Sequence, residues 1–234
     1  MALRENLSRI RDRVALAARR SGREAAEVEL MAVSKTVAPE HIREAYQAGL
    51  RLFGESRVQE FSSKLGALSD LAEARWHMIG HLQSNKAAKA VELFSALDSV
   101  DSLRLAQKLN ACAQQRARPI PVLIEVKVGG EDAKSGATPD SQAFDELLRS
   151  APDLPYLDFR GLMTVPPFCQ EPQQTRPFFQ ALRDLRDRIA AQRLPKLRME
   201  VLSMGMSHDF EVAIEEGSTR IRVGTALFGE RIPR

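Results

Sequence analysis

The chain has 234 residues, 44% of them hydrophobic, which suffices for one buried core and excludes a disordered or fibrous protein. Its 34 basic and 31 acidic residues leave a net charge of +3, spread along the chain without a basic tail, which argues against a nucleic-acid partner. No apolar run approaches the roughly 20 residues of a membrane helix, and the 2 cysteines, Cys112 and Cys169, show neither metal spacing nor a disulfide framework, so a reducing, cytoplasmic setting without membrane is expected. A monomer is expected, although no feature of the sequence fixes the oligomeric state.

The opening segment carries Leu3, Leu7, Ile10, Val14 and Ala17 at helical spacing and stops at Ser21-Gly22, which predicts a structural helix. Its arginines could suggest an organellar transit peptide, but Glu5, Asp12 and the lack of a cleavage-like region favour the helix. Eight short apolar or β-branched runs follow, at 29–34, 51–55, 76–80, 94–100, 121–128, 159–163, 199–204 and 220–224. Helical patterns lie between them, near 39–48, 57–69, 83–91, 101–117, 140–150, 173–192 and 208–216. This alternation predicts a single α/β domain over 1–234, a (β/α)8 TIM barrel with an extra N-terminal helix. An open doubly wound sheet is the runner-up, and the absence of a Gly-rich dinucleotide turn after the first strand counts against it.

Functional residues of such a barrel lie at the C-terminal ends of its strands, and phosphate is often held after strands 7 and 8. Lys35 falls at the end of strand 1 between Ser34 and Thr36, where its amine is expected to enter the barrel mouth. At the end of strand 7, "LSMGMSHDF" (202–210) offers the Ser203 hydroxyl, Gly205 for close backbone approach, and a helix start capped by Ser207 or Asp209. Strand 8 adds Gly224 and Thr225, so two adjacent loops point to an anion site. Arg220 and Arg222 share one face of strand 8. Glu55, Asp98 or Glu200 is expected to pair one of them, leaving the other for a ligand.

The strings "AVSKT" (32–36), "FGESRVQE" (53–60), "WHMIGHLQSNK" (76–86), "GEDAKSG" (130–136), "GLMT" (161–164), "LSMGMSHDFEVAIEEGST" (202–219) and "RVGTALFG" (222–229) resemble the pyridoxal phosphate homeostasis proteins, relatives of the N-terminal barrel domain of alanine racemase. The resemblance implies that pyridoxal 5′-phosphate (PLP) forms a Schiff base with Lys35. It also implies that Ser203, Gly205, Gly224 and Thr225 cradle the phosphate and that Arg222 faces the pyridine nitrogen. Storage or delivery of the cofactor to apo PLP-dependent enzymes, without catalysis, is the implied function. The chain departs from the family pattern at Ser56-Arg57, where Asn-Tyr is usual, and at Lys127, where Asn is usual.

Two other classes compete. A PLP-dependent amino-acid racemase needs a second base on the far face of the ring. In the alanine racemases that this chain resembles, that base is a tyrosine of an additional C-terminal domain, whereas five residues follow Gly229 here and Tyr46 and Tyr156 are poorly placed. A barrel enzyme using Lys35 on a phosphorylated metabolite, without PLP, is the third class. Among lesser signals, His77 and His81 lack a third ligand and no metal is expected. Lys134 is a candidate second amine over the mouth. The charge-rich segment 182–198 reads as a solvated helix face with i,i+3 and i,i+4 pairs.

Overall fold

A computed structural model of the chain describes residues 2–129 and 135–229, so Lys134 lies outside the described residues. Strands β1 (Glu29–Val33), β2 (Leu52–Glu55), β3 (Arg75–Met78), β4 (Ala96–Val100), β5 (Ile120–Glu125), β6 (Leu157–Met163), β7 (Leu197–Met206) and β8 (Arg220–Val223) pair in parallel in chain order. β8 returns to β1 with Met31 opposite Arg222 and Ala32 opposite Val223, which closes the barrel and rules out the open sheet.

Strand alternation separates two layers. Ala32, Phe53, Trp76, Leu97, Val122 and Ile221 pack outward in the apolar core shared with the helices. Their neighbours Met31, Gly54, His77, Asp98, Leu123 and Arg222 line the interior, where a Cβ on Gly54 would stand 2.7 Å from the Met31 sulfur. The outer layer is held by α1 (Ala2–Arg20), α2 (Pro39–Gln47), α3 (Val58–Leu68), α4 (Ala87–Leu93), α5 (Leu103–Gln115), α6 (Gln142–Arg149), α7 (Arg176–Ala191), α8 (Phe210–Glu215) and α9 (Thr225–Phe228). An aromatic ladder joins strand to helix, with Phe53 and Phe61 each 4.8 Å from Trp76 and Phe94 4.9 Å from Phe61. The first helix stops where expected, at Gly22 with φ 69°.

Several details differ from the sequence expectation. β5 ends at Glu125, because Ala137 then takes over the backbone: its N–H donates to the Glu125 carbonyl and its own carbonyl accepts from Lys127. β4 begins at Ala96, since Phe94 N–H still caps α4. β7 runs longer than expected, through irregular pairing with both neighbours. The short α9 lies where only a loop was expected. The charge-rich segment also differs: its ion pairs join sequence neighbours, as in Arg183–Asp184 and Arg186–Asp187, or reach other elements, as in Arg183–Glu216 and Arg188–Asp140. The acidic residues stand next to the arginines in sequence, and a buried Glu216 draws Arg183 off the helix surface.

Candidate functional site

β1 delivers Lys35. Met31 and Val33 belong to the inward series, and Lys35 continues it in the turn that follows the strand, half-buried at the C-terminal end of the barrel. The β1–β8 register sets Val223 beside Ala32, so Gly224 and Thr225 emerge level with Val33 and Ser34, next to the Lys35 turn. Lys35, Gly224 and Thr225 are therefore brought to one rim of the mouth.

The two arginines of β8 divide as the sequence suggested. Arg220 donates to Asp98 (3.0 Å) and to Glu29 (2.8 Å), and Asp98 also meets His77 Nδ1 at 3.1 Å. Of the expected partners Asp98 is the one engaged, and Glu29 was missed because it lies at the start of β1, adjacent only once the barrel closes. Arg222 is 3% exposed and, among the described residues, has no carboxylate partner. Its guanidinium donates to the Ser203 carbonyl and hydroxyl, both at 2.7 Å, and to the Thr164 carbonyl at 2.6 Å. Burial pushes it down to about 10, so it stays charged at neutral pH. Ser203 thus lies beneath the mouth, fully buried against Arg222.

The strand 7 and 8 loops meet at a residue that sequence reasoning took only for a cap. Ser207 Oγ accepts from the backbone N–H groups of Gly224 and Ala226, each at 3.2 Å. Asp209 caps the turn, its carboxylate accepting from Met206 N–H at 2.7 Å. Gly205 adopts φ 91°, and a Cβ there would stand 2.5 Å from the Ala213 side chain, so the glycine also lets β7 close onto α8. Thr225, at the first position of α9, is exposed.

Glu125 was not singled out from the sequence, although an acidic residue at the inward-facing end of a barrel strand was the available signal. It stands on β5, four strands from β1 and so across the mouth from Lys35. One carboxyl oxygen accepts from Ser135 at 2.6 Å, and the other has no hydrogen-bond partner among the described residues. Burial raises its pKa. Ser56 and Arg57 line a cavity of about 250 Å³ with His81 and Lys86 beside the mouth. His77 and His81 separate: His77 is buried on Asp98, and His81 sits in the following loop 3.2 Å from Asp101. Among the described residues no cluster of His, Cys, Asp and Glu has the form of a metal site. The tyrosines lie at the other end of the barrel, Tyr46 near the end of α2 with its ring under Arg51, and Tyr156 just before β6.

A closed barrel with a lysine ending β1 and a buried arginine on β8 is the class represented by the alanine racemase N-terminal domain, whose family model matches residues 5–232. An alanine racemase from Clostridium difficile 630 has this fold, with a TM-score of 0.74 at 17% identity, over 98% of this chain and 57% of that one. More similar in sequence are the pyridoxal phosphate homeostasis proteins of Aquifex aeolicus, 46% identical over 227 residues covering 97% of each chain, and of Pseudomonas aeruginosa, 41% identical over 97% of this chain and 95% of the relative. The structure of PipY of Synechococcus elongatus PCC7942 with PLP bound superimposes with a TM-score of 0.83 at 39% identity, covering 97% of this chain and 100% of that one. The chain belongs to the pyridoxal phosphate homeostasis protein family.

Proposed function

We propose that this protein binds pyridoxal 5′-phosphate through a Schiff base on Lys35 and stores it or delivers it to apo PLP-dependent enzymes, without turnover of amino acids. The groups at the mouth suit the cofactor: an amine for the aldehyde, a buried cation for the ring, and for the phosphate the loops after β7 and β8, where Gly224 and the exposed Thr225 stand beside Ser207, with Gly205 letting the β7 loop fold back and Ser203 anchoring Arg222 beneath them. When bound, PLP supplies an electrophilic carbonyl and, if its ring nitrogen is protonated, an electron sink.

The observation that carries the reading is Arg222. A guanidinium that remains charged although burial lowers it to about 10 disfavours a second positive charge beside it, so a pyridine nitrogen facing it stays unprotonated. That disfavours carbanion chemistry of the transaminase kind, whereas racemisation, which is compatible with this arrangement, also needs a second base on the far face of the ring. The two tyrosines, at the far end of the barrel, offer no second base at the mouth. The cysteines are free, as suits a reducing cytoplasm, and no described helix is long and apolar enough to cross a membrane.

The test is a chiral assay of the PLP-loaded protein with alanine and serine, beside an assay in which the same protein is offered to an apo PLP enzyme. No sustained interconversion, with reactivation of the apo-enzyme, is expected. Interconversion over many turnovers that is lost in Lys35→Ala would establish the racemase instead.

A further inference from the structure

The side chains that hold the turn around Lys35 come from outside the barrel wall. Lys64, on α3 and 8% exposed, donates to the Ser34 carbonyl at 3.0 Å, to Glu60 at 2.6 Å and to Glu55 at 3.4 Å. Glu60, one turn earlier on α3, accepts from the Thr36 backbone N–H at 2.5 Å through the same oxygen that meets Lys64. Ser34 Oγ donates to Glu55 at 2.7 Å. The residues on both sides of Lys35 are therefore tied to one ionic cluster.

Thr36 gives this cluster something to hold. Its φ is 62°, in the left-handed region that a β-branched residue enters only when its surroundings impose it. The Glu60 carboxylate supplies part of that constraint, beside the turn's own bond from Val37 N–H to the Ser34 carbonyl at 3.0 Å and the Thr36 hydroxyl that donates to the Lys35 carbonyl at 2.6 Å. Among the described residues, every hydrogen bond of the Lys64 ammonium and of the Glu60 carboxylate ends on Ser34, Thr36, Glu55 or the other member of the pair. None of these bonds ties α3 to a more distant described element. Lys64 is also a buried ammonium between two carboxylates, an arrangement whose desolvation gives little net stability but whose geometry is specific.

We propose that Glu60 and Lys64 are positioning residues for Lys35: they lock the turn at the end of β1 so that the Lys35 amine is presented to the barrel mouth. The benefit to cofactor attachment rests on the function proposed above, whereas the locking of the turn does not. Removing either side chain lets Thr36 relax out of the left-handed region and gives the amine a wider range of positions. Displacements of this kind slow a bond-forming step without touching the reacting atoms.

Two measurements on folded variants test this. In the first, Lys35 of the apo protein is labelled competitively with acetic anhydride across a range of pH, with exposed Lys108 as internal standard. Glu60→Ala and Lys64→Met are expected to change the labelling of Lys35 relative to Lys108 by about threefold or more, and Glu60→Gln, which keeps an acceptor for Thr36 N–H, to restore it. In the second, covalent uptake of PLP is followed by absorbance. Uptake is expected to slow by on the order of tenfold in Glu60→Ala, while pyridoxine 5′-phosphate, which has no aldehyde, binds as in wild type. If Lys64→Met fails to fold, Glu60→Ala, on the less buried partner, decides alone. Absence of covalent uptake in the wild type would remove the cofactor reading, and the labelling series would still decide the positioning role. Wild-type labelling of Lys35 in both Ala and Met variants, or failure of Glu60→Gln to rescue, overturns the proposal.

Discussion

At the scale of single residues, the charged groups inside the barrel differ in how their burial is compensated. Arg220 and Asp98 are paired, so for Asp98 the attraction of His77 and Arg220 outweighs the upward push of burial and its pKa falls. Glu125 has no such cation at hydrogen-bonding distance among the described residues, and burial raises it. A carboxyl whose folded pKa is raised contributes stability below its unfolded value, near 4.5, and loses that contribution as pH rises through the folded value. Glu125→Gln is therefore expected to raise the thermal midpoint at pH 8 more than at pH 5. Equal shifts at both pH values would show that Glu125 is not held uncompensated. At the opposite rim, Thr225→Ala is expected to weaken PLP binding by about 1.5 to 3 kcal/mol, the cost of a lost charge-assisted hydrogen bond, and to leave pyridoxal nearly unaffected. Fluorescence titration with the two ligands measures both, and equal weakening would exclude Thr225 from the phosphate cradle.

Among the elements, α1 does more than cover the barrel. Leu3, Leu7, Ile10 and Val14 bury one face, Asn6 donates to the Leu227 carbonyl of α9 at 3.0 Å, and Arg13 holds Glu211 of α8 at 2.8 Å while lying 4.5 Å from the centre of the Phe210 ring. The helix is thus fastened to the two short helices that follow β7 and β8. Ile10→Ala is expected to cost about 2 to 5 kcal/mol in urea unfolding, the range for truncating a fully buried aliphatic side chain. A cost below about 1 kcal/mol would mean that α1 docks only loosely, a smaller loss than core truncations show. This helix was legible in the sequence because its apolar spacing is regular. α9 was not, because four residues carry too little periodicity, and the lengthened β7 was not, because irregular pairing depends on both neighbouring strands.

Across the whole molecule, the eight-fold alternation and the closure of the barrel followed from the chain order of apolar runs. So did the positions of Lys35, Gly224 and Thr225, because barrel function concentrates at strand ends. The rest of the site depends on contacts that no local pattern announces. Glu29 meets Arg220 only because β8 returns to β1. Thr164 holds Arg222 through a backbone carbonyl, which carries no side-chain signature. Lys64 and Glu60 read locally as an ordinary i,i+4 surface pair, and only the closed fold, which sets α3 beside the turn after β1, brings them to Lys35.

The central claim is that Lys35 anchors the cofactor, and chemical trapping tests it most directly. The protein is loaded with PLP, reduced with borohydride, digested and mapped by mass spectrometry. The account predicts a single dominant pyridoxyl adduct on Lys35, with the visible absorbance abolished by reduction and absent from Lys35→Ala. A dominant adduct on any other lysine, or an unchanged spectrum in Lys35→Ala, would contradict it.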